Sequence, residues 1–252
     1  MATSRILDEV LSPEGRSDIL KWWMLMPSDV IGELSFGESF GLLKLGKQSH
    51  YIEVLEAAAL GTTLQYELPW LFRMIRHIPL QPIQILINAG GMVNYYGRRA
   101  VANLYQNNDN KANLFANMLA LSEKDEKSYL DDESIIKEAS NFILAGADTT
   151  SNTLTFLVWS VLKQPALQER LVSELASVGE DFSDADLERL PVLNATIEET
   201  LRLYGAVPGN LSRLVPMGGA PLGPYLIPSG CEVETQAYTP HRDPGVFPNP
   251  LQ

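Results

Sequence analysis

Phe-Ile-Leu-Ala-Gly-Ala-Asp-Thr-Thr-Ser-Asn-Thr, residues 142–153, sets an acid and a run of hydroxyls inside an otherwise apolar segment. The surrounding pattern predicts one long helix from about residue 132 to 163. Asp131, Asp132 and Glu133 lie at its start, where the helix dipole favours negative charge. On this helix Phe142, Gly146, Thr149, Thr153 and Phe156 recur three or four apart and share a face. A helix interior disfavours Gly and gains little from Thr-Thr-Ser, so packing alone does not select these residues. Two readings are open. In one, the hydroxyls bond back to the preceding turn. In the other, Gly146 lets something flat approach the backbone, and Thr149 with the flanking Asp148 relays protons beside a cofactor.

Outward from this helix, Pro165 ends it and suits the first turn of a second helix over 165–178. Ser183-Asp184-Ala185-Asp186 reads as another helix start, and residues 191–204 as a helix stopped by Gly205. Beyond Gly205 proline and glycine become frequent, and residues 213–237 read as short strands of a small sheet. Toward the N-terminus, 17–35 has helical periodicity with Ser17 as N-cap, and Pro27 should kink or divide it. Two helices, 50–60 and 64–77, are expected on either side of Gly61, and another over 83–105. Residues 107–110 read as a loop, 111–121 as a short helix and 122–129 as a charged linker. The fold class is therefore mainly α, with a central long helix and a small β region near the C-terminus. No domain boundary is evident: 1–252 reads as a single domain, helical to about 205, then strands and turns.

The bulk composition narrows the function. The chain has 252 residues, 45% of them hydrophobic, and a net charge of −12. That is ordinary globular composition, and the acidic balance disfavours a nucleic-acid partner. The one cysteine, Cys231, excludes an internal disulfide. No run is long and apolar enough for a membrane span, and the N-terminus lacks a signal-peptide core, so a cytoplasmic location is expected. His50, His77 and His241 have no ligand spacing, and no metal triad is assigned.

Glu199 and Arg202 stand three apart on the predicted 191–204 helix and can pair. In isolation such a pair is a solvated surface contact. Taken with residues 145–150, Ala-Gly-Ala-Asp-Thr-Thr, and 198–204, Glu-Glu-Thr-Leu-Arg-Leu-Tyr, it resembles the distal and core helices of the cytochrome P450 haem-thiolate monooxygenases. Residues 29–37 resemble fungal members in particular. The resemblance implies a partial cytochrome P450 fold. It implies that Thr149 hydrogen-bonds dioxygen on the iron and that Asp148 delivers protons. Ala145 and Gly146 would lie over the haem, and Phe142, Val207 and Asn210 would border the substrate. Arg213 would contact a haem propionate. Glu199 and Arg202 would be a buried structural pair that normally engages a further arginine.

The same resemblance implies oxygen insertion into an apolar small molecule, in a secondary-metabolic setting. The electrons would come from NADPH through a cytochrome reductase, at the endoplasmic-reticulum membrane for full-length members. It also implies truncation at both ends, without the loop that carries the haem cysteine. Cys231, in Ile-Pro-Ser-Gly-Cys-Glu-Val, lies in a turn entering a strand and does not match that loop. The expectation is a chain inactive as given. The alternatives are a non-catalytic fragment or a helical interaction module.

Overall fold

This computed structural model describes residues 1–47, 50–106, 114–115, 131–179 and 181–251, so the expectations for 107–110, 111–121 and 122–129 fall wholly or almost wholly outside it. The chain divides into two compact units, Met1–Asn152 and Thr153–Gln252.

The first unit is helical: α1 (Ala2–Val10), α2 (Ile19–Phe36), α3 (Leu42–Leu45), α4 (His50–Glu67), α5 (Pro69–Ile75), α6 (Gln81–Gln106) and the first part of α7 (Asp132–Leu162). Its core gathers Trp22 and Leu25 of α2, Ile52, Val54 and Leu55 of α4, Ala89 and Val93 of α6, and Ile135, Ala139, Ile143 and Ala147 of α7. These recur at helical spacing, which turns one stripe of each helix inward.

Three details depart from the sequence expectations. The N-cap of α2 is Asp18, whose carboxylate accepts from the Lys21 N–H, while the Ser17 hydroxyl donates to Glu9 at 2.6 Å. That bond holds the Glu9 carboxyl below its ordinary range. Helix α2 runs through Pro27 undivided, with the Ser28 hydroxyl donating to the Met24 carbonyl at 2.8 Å. Helix α4 also runs through Gly61, because a Cβ there would stand 2.7 Å from the Leu86 carbonyl oxygen of α6. Gly61 is a contact point between helices, not a breaker. Helix α1 was not anticipated.

Asp29 of α2 accepts from the Leu42 and Leu43 N–H groups, both at 2.9 Å, and so caps α3. A buried carboxylate is tolerated there because two charge-assisted bonds replace its hydration.

The second unit takes the last turns of α7, then α8 (Pro165–Ala176), α9 (Asp184–Leu187), α10 (Pro191–Tyr204) and four short strands. Both α8 and α10 open on a proline at the first turn, as predicted, and Ser183 with Asp186 forms a capping box at α9. Strand β1 (Asn210–Leu214) pairs antiparallel with β4 (Glu232–Gln236), and β2 (Ala220–Leu222) with β3 (Tyr225–Ile227). The β region thus begins at Asn210 and forms two ladders. The Glu174 carboxylate of α8 accepts from the Val192 and Leu193 N–H groups at 2.9 Å each, capping α10. Phe156 stacks on Tyr204 at 4.6 Å with Trp159 edge-on to both, joining the end of α7 to the end of α10. Among the described residues no helix is long and apolar enough to cross a membrane.

Helix α6 contains two kinds of glycine. A Cβ at Gly97 would lie 2.3 Å from the Ser140 hydroxyl and 2.9 Å from the Ile136 carbonyl oxygen, whereas one at Gly90 meets nothing within 4 Å. Gly97→Ala is expected to lower stability by about 1–3 kcal/mol through overpacking. Gly90→Ala should raise it by about 0.5–1 kcal/mol through helix propensity and chain entropy. Urea unfolding of the two variants measures both.

Candidate functional site

The polar run of α7 is seated by its opposite side. Ala139, Ile143, Ala147 and Ser151 have no measurable exposure, and Ala145 and Asp148 face outward with Thr149 half-buried between. The hydroxyls do bond back to the preceding turn. Thr149 donates to the Ala145 carbonyl at 2.9 Å, and Ser151 to those of Ala147 and Asp148. Both sequence readings place Thr149 on this turn, and the back-bonded one describes its hydroxyl here.

Gly146 has a different neighbour from the flat group expected. A Cβ there would stand 2.9 Å from Ile31 Cγ1, so the close approach it permits is to α2. The outward face with little side-chain bulk is Ala145. Phe142 is half-buried against the core and meets Phe115 edge-on at 5.5 Å.

Asn152 was not singled out from the sequence. Its amide donates to both the main-chain carbonyl and the carboxylate of Asp148, each at 3.0 Å. The i, i+4 spacing of an acid and an amide on a helix was the available signal.

In the second unit Arg202 is the hub. It is only 8% exposed, while Glu199 is 47% exposed. Two nitrogens of the guanidinium meet the two Glu199 oxygens at 2.7 and 2.6 Å, a bidentate pair. That bonding shifts the Arg202 pKa upward from its ordinary value. Its remaining amino group donates to the carbonyls of His241 and Pro250. The guanidinium lies over the Phe247 ring at 4.6 Å. Two backbone carbonyls therefore satisfy the donors that Glu199 does not take up. Arg242 secures the same segment by donating to the Leu203 carbonyl.

The remaining residues lie on and around β1. Val207 and Arg213 are exposed, and Arg213 donates to the Ser212 carbonyl at 2.7 Å. Asn210 and Ser212 both donate to Glu234 across the ladder, at 2.7 and 2.9 Å. Strand alternation puts Asn210 and Ser212 on one face and Leu211 and Arg213 on the other. Asn210 and Arg213 therefore do not share a face, and Glu234, which the sequence reading passed over, holds Asn210. A groove of about 1320 Å³ beside α10 is lined by Trp159, Lys163, Arg202, Tyr204 and Phe247, among others, and takes in none of Val207, Asn210 and Arg213.

Cys231 is exposed, in a turn where its N–H donates to the Pro228 carbonyl and its own carbonyl accepts from Val215. His241 contributes its carbonyl, not its ring, to the Arg202 hub. Among the described residues no group of three or more His, Cys, Asp or Glu is placed to hold a metal ion. The outward face at Ala145 and Thr149 fits a flat cofactor lying against it.

Removing Arg202 should release the carbonyls it gathers. Arg202→Ala is expected to cost about 3–5 kcal/mol and to speed amide exchange across 240–251. Glu199→Gln should cost only about 1 kcal/mol and leave that exchange nearly unchanged. Urea unfolding with hydrogen-exchange mass spectrometry separates the two.

The family model for Cytochrome P450 matches residues 3–252. Cytochrome P450 monooxygenase tazI of Aspergillus terreus is 38% identical, aligned over 94% of this chain and 49% of its own length. Cytochrome P450 monooxygenase azaI of Aspergillus niger is 35% identical, over 95% and 51%. Methylphloroacetophenone oxidase of Cladonia uncialis is 31% identical, over 96% and 56%. The chain spans about half the length of the curated relatives it matches. With a match of this extent over Asp148, Thr149, Glu199 and Arg202 alike, the chain belongs to the cytochrome P450 family.

Proposed function

We propose that these 252 residues form one incomplete domain and provide the oxygen-side wall of a haem monooxygenase that inserts one oxygen atom into an apolar small molecule. Family membership supports the reaction class, and the relatives' names, monooxygenase and oxidase, are of that kind. Electrons would come from NADPH through a cytochrome reductase.

The observation that carries this reading is the outward face of α7. Ala145 presents only a methyl group, so a flat ring can lie close to the helix backbone. Thr149 stands one turn on, its hydroxyl donating to the Ala145 carbonyl. Asp148, exposed and steered by Asn152, can exchange protons with solvent and pass them toward Thr149. Haem, when bound, supplies the redox chemistry at its iron. Arg213 is free of carboxylate partners among the described ion pairs and suits an anionic edge of the cofactor. Val207 and Leu211, both exposed and apolar, suit the substrate side.

A second reading is favoured by one observation. The chain's only cysteine sits exposed in a tight turn away from any ligand group among the described residues. On this reading the 252 residues alone are non-catalytic and act, if at all, as a helical interaction module.

Haem titration followed by absorbance, beside thermal melts, tests the first reading. Ala145→Trp should weaken haem binding at least tenfold, about 1.4 kcal/mol, with an unchanged melt. Gly146→Ala, facing Ile31, should instead lower stability by about 1–3 kcal/mol. Equal haem affinity for the parent chain and Ala145→Trp would remove the cofactor from this face, and no binding to either would favour the second reading.

A further inference from the structure

Helix α1 carries a charge on the side by which it docks. Ala2 is buried in the core of the first unit and Ile6 packs against it, so these two residues mark the side of α1 that meets α2. Glu9, three residues beyond Ile6, falls on that side too. The larger apolar residues, Leu7, Val10 and the C-cap Leu11, are exposed. Little apolar surface is therefore buried beneath α1, and a helix of nine residues does not hold its shape without such packing.

The Glu9 carboxylate supplies the rest of the attachment. It accepts from the Ser17 hydroxyl at 2.6 Å and from the Lys21 ammonium at 3.5 Å, at the start of α2. Lys21 also lies over the Trp22 ring at 4.4 Å, and Arg5 of α1 lies over the same ring at 6.0 Å. Among the described residues no other side-chain hydrogen bond joins α1 to residues 17–36. The Ser17 hydroxyl first, then the Trp22 indole N–H and Lys21, hold the Glu9 carboxyl below its ordinary range.

The other charges around Glu9 do not share this role. Arg5 and Asp8 of α1, Glu14 and Arg16 of the connection, and Asp18 and Lys21 at the start of α2 line one cavity of about 690 Å³ with it. Asp18 is committed to the Lys21 N–H of its own helix. Asp8 and Glu14 accept from no side chain of α2 among the described contacts. A carboxylate held below its ordinary range stabilises the docked state at neutral pH, and that contribution is lost as the pH falls through and below the ordinary glutamate range. Protonation also leaves Arg5, Arg16 and Lys21 facing one another with less negative charge between them.

We propose that Glu9 is an acid-sensitive latch: its carboxylate, held by Ser17 and Lys21, keeps α1 docked on α2, and its protonation releases α1 while the rest of the first unit stays folded. The latch is independent of the oxygen-side reading of α7.

Hydrogen-exchange mass spectrometry of the 252-residue chain, over a pH series from roughly 7 to roughly 3, tests it, with exchange expressed as protection relative to the unstructured rate at each pH. Protection over residues 2–11 should fall roughly threefold to tenfold toward the acid end while α4 and α6 keep theirs. Glu9→Gln should show the parent's acid value throughout and lose the pH dependence. Asp8→Asn, in the same cavity, should keep the parent profile. A flat profile in the parent, or a fall that Glu9→Gln retains, would overturn the inference. So would a loss that reaches α4 and α6 at the same pH, since acid would then unfold the unit as a whole.

Discussion

Helix α7 is held by close backbone approach, and the rest of the first unit depends on that. Gly97 of α6 lies where a Cβ would strike Ser140 and Ile136 of α7, and Gly146 of α7 lies where one would strike Ile31 of α2. Along these crossings and the turn beyond, the buried side of α7 is small or slender: Ala139, Ile143, Ala147 and Ser151. Small residues bring helix axes together, and the dispersion gained over the shared length replaces what larger side chains would supply. The rotation of α7 is then set. Once Gly146 faces α2, Ala145 and Asp148 must face away from it. The polar run can be exposed on one side because the other side is fully committed to packing.

The second unit solves a different problem with charge. Its buried apolar residues among those described are few, Leu171, Leu190 and Val215. Arg202 gathers Glu199 and two backbone carbonyls 39 and 48 residues downstream, and Glu174 caps α10 from 18 residues upstream. Charge-assisted bonds to backbone groups are stronger than neutral ones, and they fix the paths of segments that have little apolar surface to bury. The Phe156–Tyr204 stack adds the apolar contact that this end of α7 shares with α10.

The legible parts of the fold were those governed by local chemistry. Pro165 and Pro191 opened helices because a proline lacks the N–H that the first turn leaves unbonded anyway. The bounds of α7 followed from its acidic start and the proline after its end. Gly61 was misread because a glycine that breaks a helix and a glycine that admits a neighbour look alike until Leu86 is in place. Ser17 was read as the cap, but the Glu9 carboxylate, eight residues back, claimed the serine, and Asp18 caps the helix instead. Strand β1 begins at Asn210, earlier than its composition suggested, because Gln236 across the ladder extends it. Of the candidate site, the residues on α7 were legible as a set, but their division into an inward Gly146 and an outward Ala145 required the α2 contact. The Asn152 and Glu234 partners show the same limit, since each is defined by what it holds.

The central functional claim is that the chain presents an oxygen-side helix without itself supplying a thiolate to iron. The most direct measurement is the carbon monoxide difference spectrum of the reduced, haem-supplied chain, recorded beside Cys231→Ser. The expected spectra lack a thiolate-type Soret band in both proteins. A thiolate-type band in the parent chain that Cys231→Ser abolishes would contradict the claim and make Cys231 the ligand.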